Sequence, residues 1–290
     1  VQSGNVTWDV VDVETSEGIS GCNDGLFEKI DASKLPKGDN GAGPLDDFVP
    51  GAITDCAIAN IAYANVIGYD STKFPGDKPT KVADFFDLKK FPGKRGMKKE
   101  AKVNLEFALM ADGVASADVY KVLATKEGVD RAFKKLETIK SSVVWWEAGA
   151  QPPQLLASGE VTMTTAYNGR LFTPAVKENK PFVIIWDGQQ QVFDNWAIVK
   201  GTKNKDLALD FVAFSTSTKP LADQATYIPY GPARKSSAPF VGKFEDGKTD
   251  MAPHMPTNPD NMKNAIVQDV KFWADHYDEL NERFVAWIGK

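Results

Sequence analysis

VVWWEAGAQPPQLLASGEVTMTTAYNGRLFTPAVKENKPFVIIWDGQQQVFDNW, residues 143–196, alternates short apolar runs with segments punctuated by proline and glycine. Residues 143–146 (VVWW) are β-branched and aromatic, the composition of a strand. PPQLLASGE predicts a helix opened by prolines and closed near Gly159. VTMTTAYNG and PFVIIW predict two further strands, and NWAIVKG begins another. Strand–helix alternation of this kind predicts an α/β fold with a largely parallel sheet.

The same stretch holds the residues best suited to gripping a small molecule. Arg170 is a permanent cation whose planar fork matches a carboxylate. Asp194 precedes an apolar strand, where a carboxylate can accept hydrogen bonds from an ammonium. The plainer alternative is that the two pair with each other or with surface charges. Tyr167, Trp145, Trp146 and Trp196 carry apolar faces that can sandwich an alkyl chain or attract a cation, though aromatics on strands also serve as core. Trp145 and Trp146 must point to opposite sides of an extended run, so at most one of them lines a given site. Gln151, after the turn EAGA, is a further polar candidate.

Upstream, Val6, Trp8 and Val10 alternate with polar residues in VTWDVVDVETSE, which predicts a strand with a buried face. Glu14, Thr15 and Ser16 follow at its C-terminal end, where open α/β sheets place ligand crevices. Glu14 and Ser16 are therefore candidates, with helix capping as the alternative for Glu14. The first five residues are too short and polar to assign. KGDNGAGP (37–44) lacks the Lys-Ser/Thr ending of a phosphate loop and reads as a flexible connection. Residues 56–69 are small, apolar and β-compatible, suited to a strand crossing between lobes. The lysine-rich run 89–99 predicts a solvated loop. Residues 101–110, 116–125 and 128–139 have helical apolar spacing. Downstream, NKDLALDFVAFSTST predicts a helix with Leu207, Phe211 and Phe214 inward, and an aromatic-rich helix spans 266–288.

Composition excludes several function classes. The chain has 290 residues, 42% hydrophobic and 25% charged, which accommodates one large domain or two lobes. A formal charge of -5 speaks against a nucleic-acid surface. No apolar run approaches the roughly 20 residues that span a bilayer, and no signal peptide is visible. Cys22 and Cys56 can form a disulfide, which would imply an oxidising compartment, or remain two buried thiols. His254 and His276 have no ligand-type spacing, and no cofactor motif, G-x-S-x-G or dinucleotide turn is present. Tyr227 and Tyr230, without histidine or carboxylate help, are weak evidence for iron. The residues point to a receptor without a metal or cofactor rather than to a catalyst.

In order along the chain, WDVVDVETSE, FPGKRG, WWEAGAQPPQLLASGEVTM, AYNGR, FDNWAIVKG and YGPARKSSAP resemble the periplasmic solute receptors of ABC importers, in the spermidine/putrescine-binding group. Within that group the chain is most similar to receptors for 4-aminobutyrate. The resemblance implies a type II periplasmic-binding-protein fold, with two α/β lobes joined by crossover strands and the ligand enclosed in the cleft by hinge closure. Residues 1–60 with 195–240 are expected in one lobe, and 61–194 with 241–290 in the other. It also implies an aromatic contact at Tyr167, an amine-gripping carboxylate at Asp194 and contacts from Glu14 and Ser16; Tyr230 is a further ligand candidate, and Cys22–Cys56 the expected disulfide. Arg170 departs from the polyamine pattern and would favour an ω-amino acid over a diamine. The family's first strand and helix, which would precede WDVVDV, are missing from this sequence. The partners implied are 4-aminobutyrate or a related ω-amino acid and an inner-membrane permease, with a monomeric receptor. The rivals are a polyamine receptor, an enzyme on the same architecture, and a sensor whose closed form docks to a signalling protein.

Overall fold

The structure is a computed structural model that describes Val1 and residues 4–290; Gln2 and Ser3, part of the unassigned polar start, lie outside the described residues. In chain order the elements are β1 (Val10–Glu14), α1 (Thr15–Asn23), α2 (Pro44–Asp47), β2 (Ala57–Asp70), α3 (Val82–Phe86) and β3 (Arg95–Lys98). They continue with α4 (Asn104–Ala111), α5 (Val119–Leu123), α6 (Lys126–Glu137), β4 (Val143–Trp146), α7 (Gln151–Ala157) and β5 (Met163–Tyr167). The last are α8 (Asn168–Lys177), β6 (Phe182–Ile198), α9 (Lys205–Ser215), α10 (Thr218–Gln224), β7 (Ile266–Val267) and α11 (Val270–Ile288).

The chain divides into two compact units: Val1–Tyr63 with Val192–Asn258, and Ala64–Gln191 with Pro259–Lys290. Two strands, β2 and β6, run from one unit into the other. The unit boundaries fall elsewhere than the sequence suggested. Asp194 belongs to the first unit, because β6 there pairs with β1 in the register Glu14↔Asp194. Residues 241–258 also belong to it, tied back by the Glu245 amide donating to the Thr226 carbonyl.

In the first unit β1 runs antiparallel to β6, from Val10↔Ile198 to Glu14↔Asp194. Its core gathers Ile58, Ala59 and Ala62 of β2, Phe193 and Ile198 of β6, and Ala208 and Val212 of α9. The inward face of α9 is thus carried by Ala208 and Val212, with Leu209 and Ala213 packed beside them, contrary to expectation. Leu207 and Phe214 are 68% and 69% exposed and Phe211 is 42% exposed. The disulfide Cys22–Cys56 joins the last turn of α1 to the start of β2. A buried ion pair, Arg234 Nη1 to Asp47 Oδ2 at 3.0 Å, holds the YGPAR segment, with Ser236 donating to Asp47 from both its amide and its hydroxyl.

In the second unit β5 is antiparallel to the second half of β2, while β3 runs parallel to both β5 and β4. The sheet is therefore mixed, not largely parallel. β2 is buried at all 14 positions, which is why its sequence is a nearly unbroken apolar run. PFVIIW and NWAIVKG are one strand, β6. The core packs Phe85, Phe107, Met97 and Leu136 against Trp273 and Phe284 of α11. The lysine-rich run is not a solvated loop throughout. Arg95 is fully buried and donates to the carbonyls of Phe85, Phe91 and Gly93, and Lys98 closes β3. A helix that the sequence did not suggest, α8, follows β5 directly despite Gly169 and Pro174, because Leu171 and Phe172 are buried on its inner face.

Candidate functional site

Glu14 in the first unit and Lys98, Trp146 and Tyr167 in the second end their strands, while Asp194 lies within β6 beside the end of β1. A strand's end exposes side chains that the sheet below holds rigidly, and the helix that follows begins with amides bearing partial positive charge.

Glu14 is the last residue of β1 in the first unit, and α1 starts immediately after it. The pairings Glu14↔Asp194 and Asp12↔Trp196 put Asp12, Glu14, Asp194 and Trp196 on one face, because directly opposed residues of an antiparallel ladder share a side. The Glu14 side chain does not cap α1; its Oε1 instead accepts a hydrogen bond from the Tyr63 hydroxyl at 2.8 Å. Asn60 Nδ2 donates to Asp12 Oδ1 at 2.9 Å. Tyr230 packs on Tyr63 with ring centroids 5.8 Å apart. The Ser16 hydroxyl donates to Glu17, in the first turn of α1.

This face is short of positive charge. Among the described residues of its own unit, no cation pairs with Asp194. Burial raises the pKa of Asp194 to about 7, and the charges of Asp12, Glu14 and Glu17 add to the rise. A cation placed here would relieve both effects. The Trp196 ring packs edge-on against Phe211 of α9, with centroids 5.3 Å apart.

In the second unit Lys98, Trp146 and Tyr167 are the last residues of β3, β4 and β5. The ladder aligns Lys98 with Trp146. The ring of Trp146, 2% exposed, meets Tyr167 edge-to-face at 6.0 Å. The indole Nε1 of Trp146 is buried without a hydrogen-bond acceptor. Trp145 points the other way, onto Phe284 and Trp287 of α11, as alternation along a strand requires. Gly149 lets the ring of Tyr167 close in: a Cβ there would stand 2.8 Å from Tyr167 Cε2 and 3.9 Å from Arg170 Nε.

Arg170 occupies the first turn of α8, whose N-terminus the Tyr167 side chain does not cap. It is exposed, and among the described residues no carboxylate pairs with it. A guanidinium beside a helix N-terminus makes this end of the second unit favour an anion. Gln151 is spent on local structure, its Oε1 accepting from the Glu147 and Ala148 amides and shaping the EAGA turn.

The structure thus gathers Asp194, Glu14, Ser16 and Tyr230 in one unit, and Arg170, Tyr167 and Trp146 in the other. Sequence inspection missed Asp12, Asn60, Tyr63 and Lys98. The first three were legible only as polar positions interrupting apolar runs, and Lys98 was hidden among other lysines.

Among the described residues no helix is long and apolar enough to cross a membrane. Residues 1–257 match the profile of the family described as bacterial extracellular solute-binding protein. The chain is 44% identical over 290 residues to the gamma-aminobutyric acid-binding protein of Pseudomonas aeruginosa, covering all of this chain and 78% of that one. A solved GABA receptor shares 36% identity, with a TM-score of 0.83 over 100% of this chain and 83% of its own. The binding protein MotA of A. tumefaciens B6, solved with glucopine, shares 30% identity, with a TM-score of 0.85 over 99% of this chain and 85% of its own.

Proposed function

Since the chain belongs to the bacterial extracellular solute-binding proteins, we propose that it is the periplasmic receptor for a small zwitterionic ω-amino acid, foremost 4-aminobutyrate, which it delivers to an inner-membrane ABC permease. One observation carries this assignment: the candidate residues are segregated by charge. Asp194 stands among like charges with its pKa raised to about 7, and Arg170 stands at a helix start with no carboxylate partner among the described residues. Asp194 receives the ammonium, and Arg170 the carboxylate in bidentate fashion. Tyr167 and Trp146 lie along the methylenes, their edge-to-face contact fixing the aromatic surface. The chain binds and releases its ligand without altering it. The names of the relatives, a gamma-aminobutyric acid-binding protein and a GABA receptor, agree with this ligand class.

A polyamine receptor is the second reading, favoured by the number of carboxylates around Asp194, more than one ammonium requires. Isothermal titration with 4-aminobutyrate, putrescine and alanine separates the two. The wild type is expected to prefer 4-aminobutyrate, and Arg170→Ala to lose about 2 kcal/mol or more of binding, roughly 30-fold. Unchanged affinity in Arg170→Ala removes Arg170 from the site, and a preference for putrescine restores the polyamine assignment.

A further inference from the structure

At the end of β3, Lys98 makes contacts that the ligand assignment above does not use. Its Nζ is ion-paired to the Glu100 carboxylate and hydrogen-bonded to Tyr167. The same Nζ stands 5.8 Å from the centroid of the Tyr167 ring. Burial works against the ammonium, but the neighbouring Glu100 carboxylate offsets it and keeps Lys98 charged. Glu100 is itself buried, which fixes the pair in place.

An amine approaching Tyr167 meets two cations, Lys98 and Arg170, together with the partial positive charge at the start of α8. A carboxylate is attracted by all three. Glu100 offsets part of the Lys98 charge, so the discrimination is finite.

We propose that Lys98 determines specificity at this end of the second unit, anchoring the Tyr167 hydroxyl and turning away a second ligand cation, so that ω-amino acids are accepted and diamines refused. The proposal rests on the ω-amino-acid reading given above and adds a residue to it. The test is isothermal titration of the whole protein with 4-aminobutyrate and putrescine, for wild type, Lys98→Met and Lys98→Arg. Lys98→Met is expected to narrow the preference for 4-aminobutyrate about tenfold or more, chiefly by strengthening putrescine. Lys98→Arg keeps the charge and is expected to keep the wild-type ratio. Because Lys98→Met leaves Glu100 buried and unpaired, the double variant Lys98→Met/Glu100→Gln is measured beside it, with thermal melts to verify folding. A folded variant that weakens both ligands equally, or changes neither, overturns the proposal while leaving the ω-amino-acid reading intact. A wild type that ignores 4-aminobutyrate overturns both.

Discussion

Replacing Asp194 with asparagine should strengthen the empty protein and disable the receptor at once. In the unfolded chain this carboxyl titrates near its ordinary 3.8, and in the folded protein at about 7, raised by burial and by Asp12, Glu14 and Glu17. The folded state therefore holds the proton more tightly, and the stability contributed by this group falls as pH rises from about 4 to about 7. A shift of about 3 units corresponds to roughly 4 kcal/mol. Asp194 is only partly buried, and solvent screening reduces this to about 2 kcal/mol. Asparagine carries no charge, so Asp194→Asn should be more stable than wild type by about 2 kcal/mol at pH 8 and nearly equal to it at pH 4. For 290 residues that is a rise in Tm of roughly 3 °C at pH 8. Ligand binding should run the opposite way. An ammonium needs the ionised carboxylate, so wild-type affinity should fall about tenfold between pH 8 and pH 6, and Asp194→Asn should bind far more weakly at both. Thermal melts and titrations at the two pH values measure both quantities. An Asp194→Asn protein that is no more stable at pH 8, or that binds with unchanged affinity, would refute the picture of a strained anion awaiting a cation.

Asp47→Ala leaves Arg234 buried without its carboxylate, and urea denaturation should register a loss of about 3–5 kcal/mol. A loss below 1 kcal/mol would mean that solvent reaches the pair. Gly149→Ala places a methyl 2.8 Å from Tyr167 Cε2 and must displace that ring, so ligand affinity should drop about tenfold while the melting curve moves little. Unaltered affinity would take Tyr167 out of contact with the ligand.

What could be read from the sequence followed from how local its cause is. β2 was legible because burial on both faces leaves a continuous apolar run, and α6 because its buried residues recur at helical spacing. α8 was not, since Gly169 and Pro174 look like breakers and only the tertiary burial of Leu171 and Phe172 overrides them. The stripe on α9 was misread: large apolar residues suggested the core face, but Leu207 and Phe214 are exposed and Ala208 and Val212 are buried instead, with Leu209 and Ala213 packed beside them. Arg170, Asp194 and Tyr167 stood out by their chemistry. Lys98 did not, because what distinguishes it from its lysine neighbours is alignment with Trp146 and proximity to Tyr167, residues about 50 and 70 positions away.

The bond between Cys22 and Cys56 ties the fold to the place where it forms. It closes a loop with a sequence separation of 34 and, in the chain-entropy model, contributes about 4 kcal/mol. A chain whose thiols are reduced lacks that contribution and spends more of its time unfolded. Oxidation fastens α1 to β2. The first unit thus carries a redox-dependent fastening, loose where thiols stay reduced and firm where they are oxidised.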